Sequence, residues 1–233
     1  MKTSNKIFIS FMIFLLGGIL ALYVGSKYNK DYNDASHFAQ QKTLLSPFSV
    51  VVAESGAIFR LNSGKENKVI QTYRKDTFAN FYVFEVRNDT LFVFPVKQEN
   101  GKEGGYGVVP EIFCVNLKSV VAKENSNIGT GKFHIDTLHV VMNKSRLDWR
   151  FDKATFISIQ AKDSDVYLEG ESLEKLAFKS DKTKLRAITK TRIDNLSGSL
   201  KNDSRGDFSY ANSIRLDTDK TSSYSFYGFV NEP

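Results

Sequence analysis

The stretch KDSDVYL at residues 162–168 has the same outline as NKSRLDW at residues 143–149 and DKTKLRA at residues 181–187. In each segment a polar residue precedes a Ser or Thr, a second polar residue follows it, and an apolar residue comes next. The three segments are nineteen residues apart. A fixed period of this kind is typical of repeat architectures, in which each repeat stacks only on its neighbours.

Three columns of equivalent positions extend the period over four repeats. They read Ser126, Ser145, Ser164 and Thr183; Val121, Val140, Ile159 and Phe178; and Ile128, Leu147, Val166 and Leu185. A repeat of this length can hold two or three short strands, enough for one coil of a solenoid whose coils lie about 4.8 Å apart. The pattern therefore predicts an all-β fold, a β-solenoid or parallel β-helix-like body.

Charged residues form two further columns in which the sign alternates. These columns read Lys144, Asp163 and Lys182, and Arg146, Asp165, Lys184 and Asp203. Like charges on adjacent strands repel and opposite charges attract, so the alternation supports the same stacking register. We expect Asp163 and Asp165 to bridge the basic residues of the coils on either side.

The chain from Pro47 to Leu117 has longer alternating segments joined by tight turns. Asn88 and Asp89 separate VFEVR from TLFVF, and both residue types tolerate the positive φ that a two-residue hairpin requires. We expect antiparallel hairpins at the N-terminal side of the solenoid.

Composition and charge exclude several classes of protein. Of 233 residues 41% are hydrophobic, which suffices for one sizeable core. Two of the 32 basic residues, Lys2 and Lys6, precede the apolar N-terminal segment, leaving 30 basic residues against 26 acidic ones. That excess is too small for a nucleic-acid binder. The single cysteine, Cys114, rules out an intramolecular disulfide and a cysteine-rich metal site, and we expect no cofactor.

The N-terminus carries a membrane-active segment, because Ile7 to Val24 are eighteen uncharged and mostly apolar residues. A helix of that length reaches roughly 27 Å, whereas cleaved signal peptides usually have apolar stretches of about 7 to 15 residues. This favours one uncleaved transmembrane helix over a secretory signal cut near Ser26. Lys2 and Lys6 favour a cytoplasmic N-terminus, so we expect a single-pass protein with an extracytoplasmic body, in the periplasm or at the cell surface.

The predicted organisation has four parts. They are a membrane anchor or signal segment at residues 1–25, a polar tether at 26–46, the β-solenoid domain at 47–228, and a tail at 229–233.

The sequence resembles the GIN-domain family of mostly Bacteroidetes exported proteins, described as adhesin head domains of autotransporters. The resemblance covers Phe48 to Phe226 and rests on FSVVVAESGAIFRLNSGKENKVI, RNDTLFVFPV, VPEIFCVNLKSVVA and the short repeated strands that follow. It implies an exported β-helix-like head. Family members tend to carry glycine at the repeat turns, with the namesake tripeptide, whereas this chain has Asn127-Ile128-Gly129 and then the polar turns NKSR, KDSD and DKTK.

The densest basic patch is KSDKTKLRAITKTR, which holds six basic residues and one acid. Alternation along a strand places Lys182, Lys184 and Arg186 on its outward face, where they could contact a phosphate group or an acidic polysaccharide, or be a solvated surface paired to Asp163 and Asp165. Tyr167 is predicted to point outward and could stack on a sugar ring. Trp149 falls in an inward column and is predicted to lie in the core.

Two short motifs have weaker specificity. Arg205, Gly206 and Asp207 match the tripeptide that animal integrins recognise in some adhesive proteins, but they suit a turn between solenoid strands equally well. His134, Asp136 and His139 suggest a metal site, although strand alternation would place His139 on the other face unless the strand bends. We predict no metal site and no catalytic residues.

These observations predict a non-catalytic, membrane-tethered protein that binds or scaffolds at the cell envelope, as the adhesin-head resemblance implies. Its expected partners are the membrane, through the N-terminal helix, and an envelope polysaccharide or another envelope protein. Two alternatives stay open: a carbohydrate-active β-helix enzyme, and an envelope oligomer that self-assembles through the open strand edges of the solenoid.

Overall fold

The computed structural model describes residues 3–32, 38–74, 82–96 and 109–228. The first range is one helix, α1 (Thr3–Tyr32), and its segment Ile9–Lys27 has a mean hydropathy of 2.1. By length and composition this segment can cross a membrane, and a signal sequence would meet the same criterion. The predicted tail at 229–233 lies outside the described residues.

The remaining described residues contain fifteen strands. The first eight are β1 (Phe38–Leu44), β2 (Val50–Ala53), β3 (Ile58–Ser63), β4 (Lys68–Arg74), β5 (Tyr82–Arg87), β6 (Thr90–Pro95), β7 (Glu111–Cys114) and β8 (Ser119–Ala122). The others are β9 (Asn127–Asn143), β10 (Arg146–Lys162), β11 (Asp165–Glu169), β12 (Ser172–Asp181), β13 (Lys184–Lys201), β14 (Arg205–Thr218) and β15 (Ser223–Phe226). Strand β1 lies inside the segment predicted to be a tether.

The strands from β9 onward stack in parallel, one coil above the next. Arg146 aligns with Asn127 on one side and with Asp165 on the other, and Asp165 aligns with Lys184, so each of these steps is nineteen residues. The predicted fold is confirmed: the body is a β-solenoid of about six turns with antiparallel strands at its N-terminal side and one apolar helix before it.

Each coil has two long sides that meet at one corner. In β10 the first side is Arg146–Arg150, the second side is Phe156–Lys162, and the corner follows at Asp163-Ser164. The first side of the last coils continues through Lys184–Ala187 and Arg205–Phe208, and the second side through Arg192–Lys201 and Tyr210–Thr218. We call these the first side, the second side and the Ser/Thr corner.

Backbone groups at the Ser/Thr corner bond to buried hydroxyl groups. The N–H of Ser145 donates to Ser164 Oγ, the N–H of Ser164 to Thr183 Oγ1, and the N–H of Thr183 to Ser204 Oγ. Each acceptor hydroxyl in turn donates to a carbonyl just before its own corner, as Ser164 Oγ does to Lys162 O at 2.6 Å. The Ser/Thr column recurs because buried N–H groups need these acceptors.

The residues directly before Ser145, Ser164 and Thr183 have a left-handed backbone. The φ angle is 46° at Lys144, 47° at Asp163 and 49° at Lys182. The N–H groups of these three residues donate to carbonyls of the next coil, at Lys162, Asp181 and Lys201. Side chains other than Gly, Asn and Asp rarely adopt this conformation, so the lysine corners hold a local strain that the stacked coils impose.

Stacked apolar columns fill the interior of the solenoid. On the second side, Leu138, Ile157, Leu176 and Leu196 align from coil to coil and are buried. On the first side, Trp149 is buried and stacks on Phe133 at 4.8 Å between ring centroids, which confirms its predicted inward position. Burial of a large apolar side chain contributes about 1.5–3 kcal/mol, so these columns are the main source of stability.

Antiparallel pairing is found in the N-terminal half of the body, as predicted. Strands β5 and β6 form a hairpin whose turn residues, Asn88 and Asp89, have φ of 48° and 62°. A short antiparallel ladder also joins β4 to β7. Both predicted turn residues therefore take the left-handed conformation that the hairpin needs.

Two details of the predicted stacking are wrong. Val120, not Val121, aligns with Val140 and is buried, because that step is twenty residues long. Lys184 aligns with Arg205 and not with Asp203, because the coil is twenty-one residues long. A register shift in β13 between Arg186 and Thr189 adds one residue, and the corner with Asn202 and Asp203, both at positive φ, adds the other. The sequence period is therefore kept only where corners and strands have equal length.

Candidate functional site

The outer surface of the first side contains a depression of about 220 Å³. It spans three adjacent coils and is lined by Arg146, Asp148, Asp165, Val166, Tyr167, Lys184 and Arg186. We call it the first-side depression.

Two columns of outward-pointing side chains, aligned by the strand register, form this depression. Arg146, Asp165 and Lys184 align in one column, and Asp148, Tyr167 and Arg186 align in the other. Outward residues two positions apart on a strand share one face, so the two columns stand side by side. The ring of Tyr167 thus has a carboxylate on one neighbouring coil and a guanidinium on the other.

Among the described residues, some charged side chains of the first-side depression form ion pairs and others do not. Arg146 donates from Nε and Nη2 to both carboxylate oxygens of Asp148, at 3.1–3.2 Å. The ion pairs of the described residues do not include Lys184 or Arg186. Asp165 does not bridge its neighbours as we expected, because Arg146 pairs along its own strand instead.

The structure unites three of the four residues predicted to contact a polysaccharide. Tyr167, Lys184 and Arg186 line the first-side depression, whereas Lys182 lies at the Ser/Thr corner outside it. Sequence reasoning missed Arg146 and Asp148 as part of this surface. Arg146 could have been found, because it precedes Asp165 and Lys184 in the same nineteen-residue column.

The tripeptide Arg205-Gly206-Asp207 forms the start of β14 and is extended. Arg205 Nε donates to both oxygens of Asp207 at 3.0–3.1 Å, and this pairing raises the pKa of the guanidinium. Asp207 is only 6% exposed and also accepts from Tyr227 at 3.5 Å. Gly206 faces inward, because it aligns with the buried Leu185. The three residues are thus held by contacts within the solenoid.

A second hollow, of about 380 Å³, lies where β9 bends. The bend lets His134, Asp136 and His139 all point outward, and all three line this hollow together with Asn116 and Lys118. Among the described residues there is no group of three or more His, Cys, Asp or Glu side chains placed to hold a metal ion. His139 instead meets Phe156 edge-on at 5.9 Å between ring centroids.

A third hollow, of about 480 Å³, is a trough on the outer surface of the second side. Lys162, Lys179 and Lys201 line it together with Asp181, whose carboxylate accepts from the Asn202 amide at 2.8 Å. The trough offers positive charge without an aromatic ring among its lining residues.

Comparison with known proteins shows similarity in fold only. No family model matches the chain, and no curated protein matches it in sequence. A crystal structure of a "putative adhesin" from Parabacteroides distasonis has a TM-score of 0.52 with 11% identity, over 82% of this chain and 94% of that chain.

Two further crystal structures have lower TM-scores. A "putative adhesin" from Bacteroides fragilis has a TM-score of 0.49 at 12% identity, over 82% of this chain and 97% of that chain. One from Parabacteroides merdae has a TM-score of 0.49 at 10% identity, over 84% and 95%. The chain therefore has the class of fold seen in the Parabacteroides distasonis protein, a β-solenoid.

Proposed function

We propose that this chain is a non-catalytic, envelope-tethered binding protein that holds an acidic polysaccharide on the first-side depression. The observation that carries the proposal is the position of Tyr167 beside two basic side chains, Lys184 and Arg186, which are not used in ion pairs of the described chain. The fold likeness to a protein named as an adhesin, and the GIN-domain resemblance of the sequence, agree with a binding role.

Acidic polysaccharide suits this surface better than a neutral one. A flat sugar ring can pack on the Tyr167 ring, while carboxylate or sulfate groups can bond to Lys184 and Arg186 on the next coil. The columns read Arg146, Asp165, Lys184 and Asp148, Tyr167, Arg186, so basic residues do not recur on every coil. Affinity then arises from a few contacts at Tyr167, Lys184 and Arg186 rather than from one deep pocket.

The enzymatic alternative is less well supported by the same geometry. Glycoside hydrolysis requires one carboxyl group that an apolar environment keeps protonated. Asp148 and Asp165 are the carboxylates of the first-side depression; Asp165 is exposed, and Asp148 is bonded to Arg146. Such a site is suited to holding a charged ligand rather than to donating a proton.

Binding of polygalacturonate to the full chain in detergent micelles tests the proposal, with neutral dextran as the comparison. The double variant Lys184→Glu/Arg186→Glu should weaken binding about tenfold or more, and Tyr167→Ala about two- to tenfold. Binding should also weaken when the salt concentration rises, because the surface charges are screened.

The matched control is Lys162→Glu/Lys179→Glu, which makes the same charge change in the trough of the second side. It should leave binding within about twofold of the parent. Equal losses from both double variants would mean that net charge, and not the first-side depression, drives the interaction. Equal binding of dextran and polygalacturonate would refute an acidic ligand.

The tether is part of the same proposal, and α1 supports it by its length and composition. An uncleaved α1 keeps Met1 on the mature chain and leaves the protein in the membrane pellet after alkaline carbonate washing. N-terminal sequencing of the native protein distinguishes an uncleaved anchor from a cleaved signal sequence. A mature chain that begins near Ser26 would overturn the anchor and leave only export of the body.

A further inference from the structure

The last coil of the solenoid is only half covered. Strand β15 pairs with β14 at Arg205–Phe208, which is the first side, and the described chain places no strand over Tyr210–Thr218 on the second side. Within the described residues the body therefore ends in a step, because β15 covers the first side and the second side of β14 has no partner strand on its outer edge.

The open side exposes residues that belong to the core. Leu138, Ile157, Leu176, Leu196 and Ile214 form one aligned inward column, with exposures of 0%, 0%, 0%, 1% and 48%. Ile214 differs from the others in that no coil among the described residues is stacked on it. Leu216, in the next inward column, is half-buried for the same reason.

Strand β15, the half-coil above the first side, also leaves an inward side chain exposed. Tyr224 and Phe226 occupy inward positions of β15, because they align with Gly206 and Phe208. The rings of Phe226 and Phe208 are 5.6 Å apart, yet Tyr224 is 48% exposed because no strand of the described chain stacks above it. In the described part of the chain, each protomer thus has a half-coil over the first side and none over the second side.

We propose that two copies of this chain join end to end through these steps, so that their two half-coils complete one shared coil. The required two-fold axis is perpendicular to the solenoid axis, passes through the Ser/Thr corner and exchanges the two sides. It places β15 of the second copy over Tyr210–Thr218 of the first, and the reverse, which closes both open edges. The proposal concerns a different surface from the first-side depression and is independent of it.

Strand direction and side-chain pattern fit this arrangement. The chain runs away from the corner along β15 and towards it along the second side of β14, so the new pairs are antiparallel. Residues at equal distance from the corner meet: Tyr224 of the second copy lies opposite Thr218, and Phe226 of the second copy opposite Leu216. In this register Phe226 faces Leu216 as an apolar pair and the Tyr224 ring faces the side chain of Thr218, so the inward faces of the two copies meet.

Outward positions are compatible as well. In this register Ser225 of the second copy lies opposite Asp217, and Tyr227 of the second copy opposite Arg215. A hydroxyl group can donate to the carboxylate, and an aromatic ring can pack on the guanidinium. No like charges oppose each other across the new pairs between the described strands.

Disulfide trapping in detergent, between full-chain variants that each carry one introduced cysteine, tests the register. When Asp217→Cys and Ser225→Cys proteins are mixed and oxidised, a dimer band should form on non-reducing gels, because directly opposed antiparallel residues lie within disulfide range. Native Cys114 is buried and does not compete. Neither variant alone should cross-link, since each position lies opposite the other and not opposite itself.

The matched control mixes Ser213→Cys with Ser225→Cys, because Ser213 lies on the same strand but four residues further from the corner. Equal cross-linking in both mixtures, or none in the first, would overturn the proposal. A dimer held only through α1 would give no cross-link between positions 217 and 225 and would also overturn it.

A second pair of variants tests the apolar contact. Leu216→Lys, added to the Asp217→Cys protein, should reduce cross-linking about tenfold, whereas Tyr210→Lys, on the same strand beyond the overlap with β15, should not. Unchanged Trp149 fluorescence in both variants shows that the solenoid is folded. Unchanged cross-linking in the folded Leu216→Lys variant would contradict the proposed packing.

Discussion

The backbone N–H of Ser145 donates a hydrogen bond of 3.2 Å to Oγ of Ser164, nineteen residues later in the chain and one coil away in space. Both residues are buried. This contact explains the Ser/Thr column, which is the most regular feature of the sequence. A buried N–H group without an acceptor costs more free energy than the hydrogen bond itself contributes. Stacking register is thus fixed by polar groups inside the corner as well as by apolar columns.

Removal of the Ser164 hydroxyl should destabilise the protein. Ser164→Ala leaves the Ser145 N–H without its acceptor and should lower the free energy of unfolding by about 1–3 kcal/mol. Ser164→Thr should cost less than about 1 kcal/mol, because Thr183 makes the same contact one coil further on. Urea denaturation followed by Trp149 fluorescence measures both changes.

Thr155→Ala is the matched control for these variants, because Thr155 is exposed on β10. It should change the free energy of unfolding by no more than about 0.5 kcal/mol. A Ser164→Ala cost as small as that of the control would show that water replaces the hydroxyl at the corner.

Relief of strain at a lysine corner should stabilise the protein. Lys182 has a φ of 49°, a conformation that costs most side chains about 1–2 kcal/mol and glycine almost nothing. Because glycine also loses more entropy on folding, we expect Lys182→Gly to raise the free energy of unfolding by about 0.5–1 kcal/mol. Thermal unfolding monitored by circular dichroism checks the direction.

Lys179→Gly provides the comparison, since Lys179 lies within strand β12. There the entropy loss is not offset, and stability should fall by about 0.5–1 kcal/mol. A fall in both variants would mean that the Lys182 side chain contributes more through its own contacts than its backbone costs.

Glycine at position 206 should be required by packing rather than by recognition. A Cβ atom on Gly206 would lie 2.7 Å from the Phe208 ring and 3.3 Å from Leu200, whereas one on Gly129 would meet nothing within 4 Å. Gly206→Ala should therefore cost about 1–3 kcal/mol, and Gly129→Ala should be neutral or stabilising by about 0.5 kcal/mol. Denaturant titration of the two variants compares them, and equal effects would contradict the packing account.

Period and alternation were enough to predict the fold, because apolar and hydroxyl residues recur where coils stack with equal length. The same reasoning failed at Val121, where a corner is one residue longer, and at Asp203, where a register shift in β13 and a longer corner each add one residue. Corner length depends on which residues take positive φ, and Asn202 and Asp203 do so together. A strict period cannot show such an insertion, because the sequence on either side stays regular.

The candidate site was predictable in part. Alternation identified Tyr167, Lys184 and Arg186 as outward residues, and the structure places them in one depression. It could not predict that Arg146 would bond to Asp148 on its own strand rather than to Asp165 on the next. Both carboxylates are within reach of one long side chain, and the choice depends on side-chain geometry that a sequence pattern does not contain.

The N-terminal half of the body should unfold before the solenoid coils. Cys114 lies in β7, which pairs with β3 and β4 through ladders of only four and three residues. Trp149 lies in β10, whose ladders to β9 and β12 extend along most of its length. Shorter ladders and fewer stacked neighbours give a segment a lower free energy of local opening.

One cysteine and one tryptophan make the two regions separately observable. Burial raises the pKa of the Cys114 thiol to about 12, so the folded protein should react slowly with iodoacetamide near pH 8, and labelling should report opening around β7. Pulse labelling in increasing urea should reach its midpoint at a lower concentration than the change in Trp149 fluorescence. Complete labelling at the highest urea concentration sets the end point for both curves. Coincident midpoints would instead show that the antiparallel strands and the solenoid unfold as one cooperative unit.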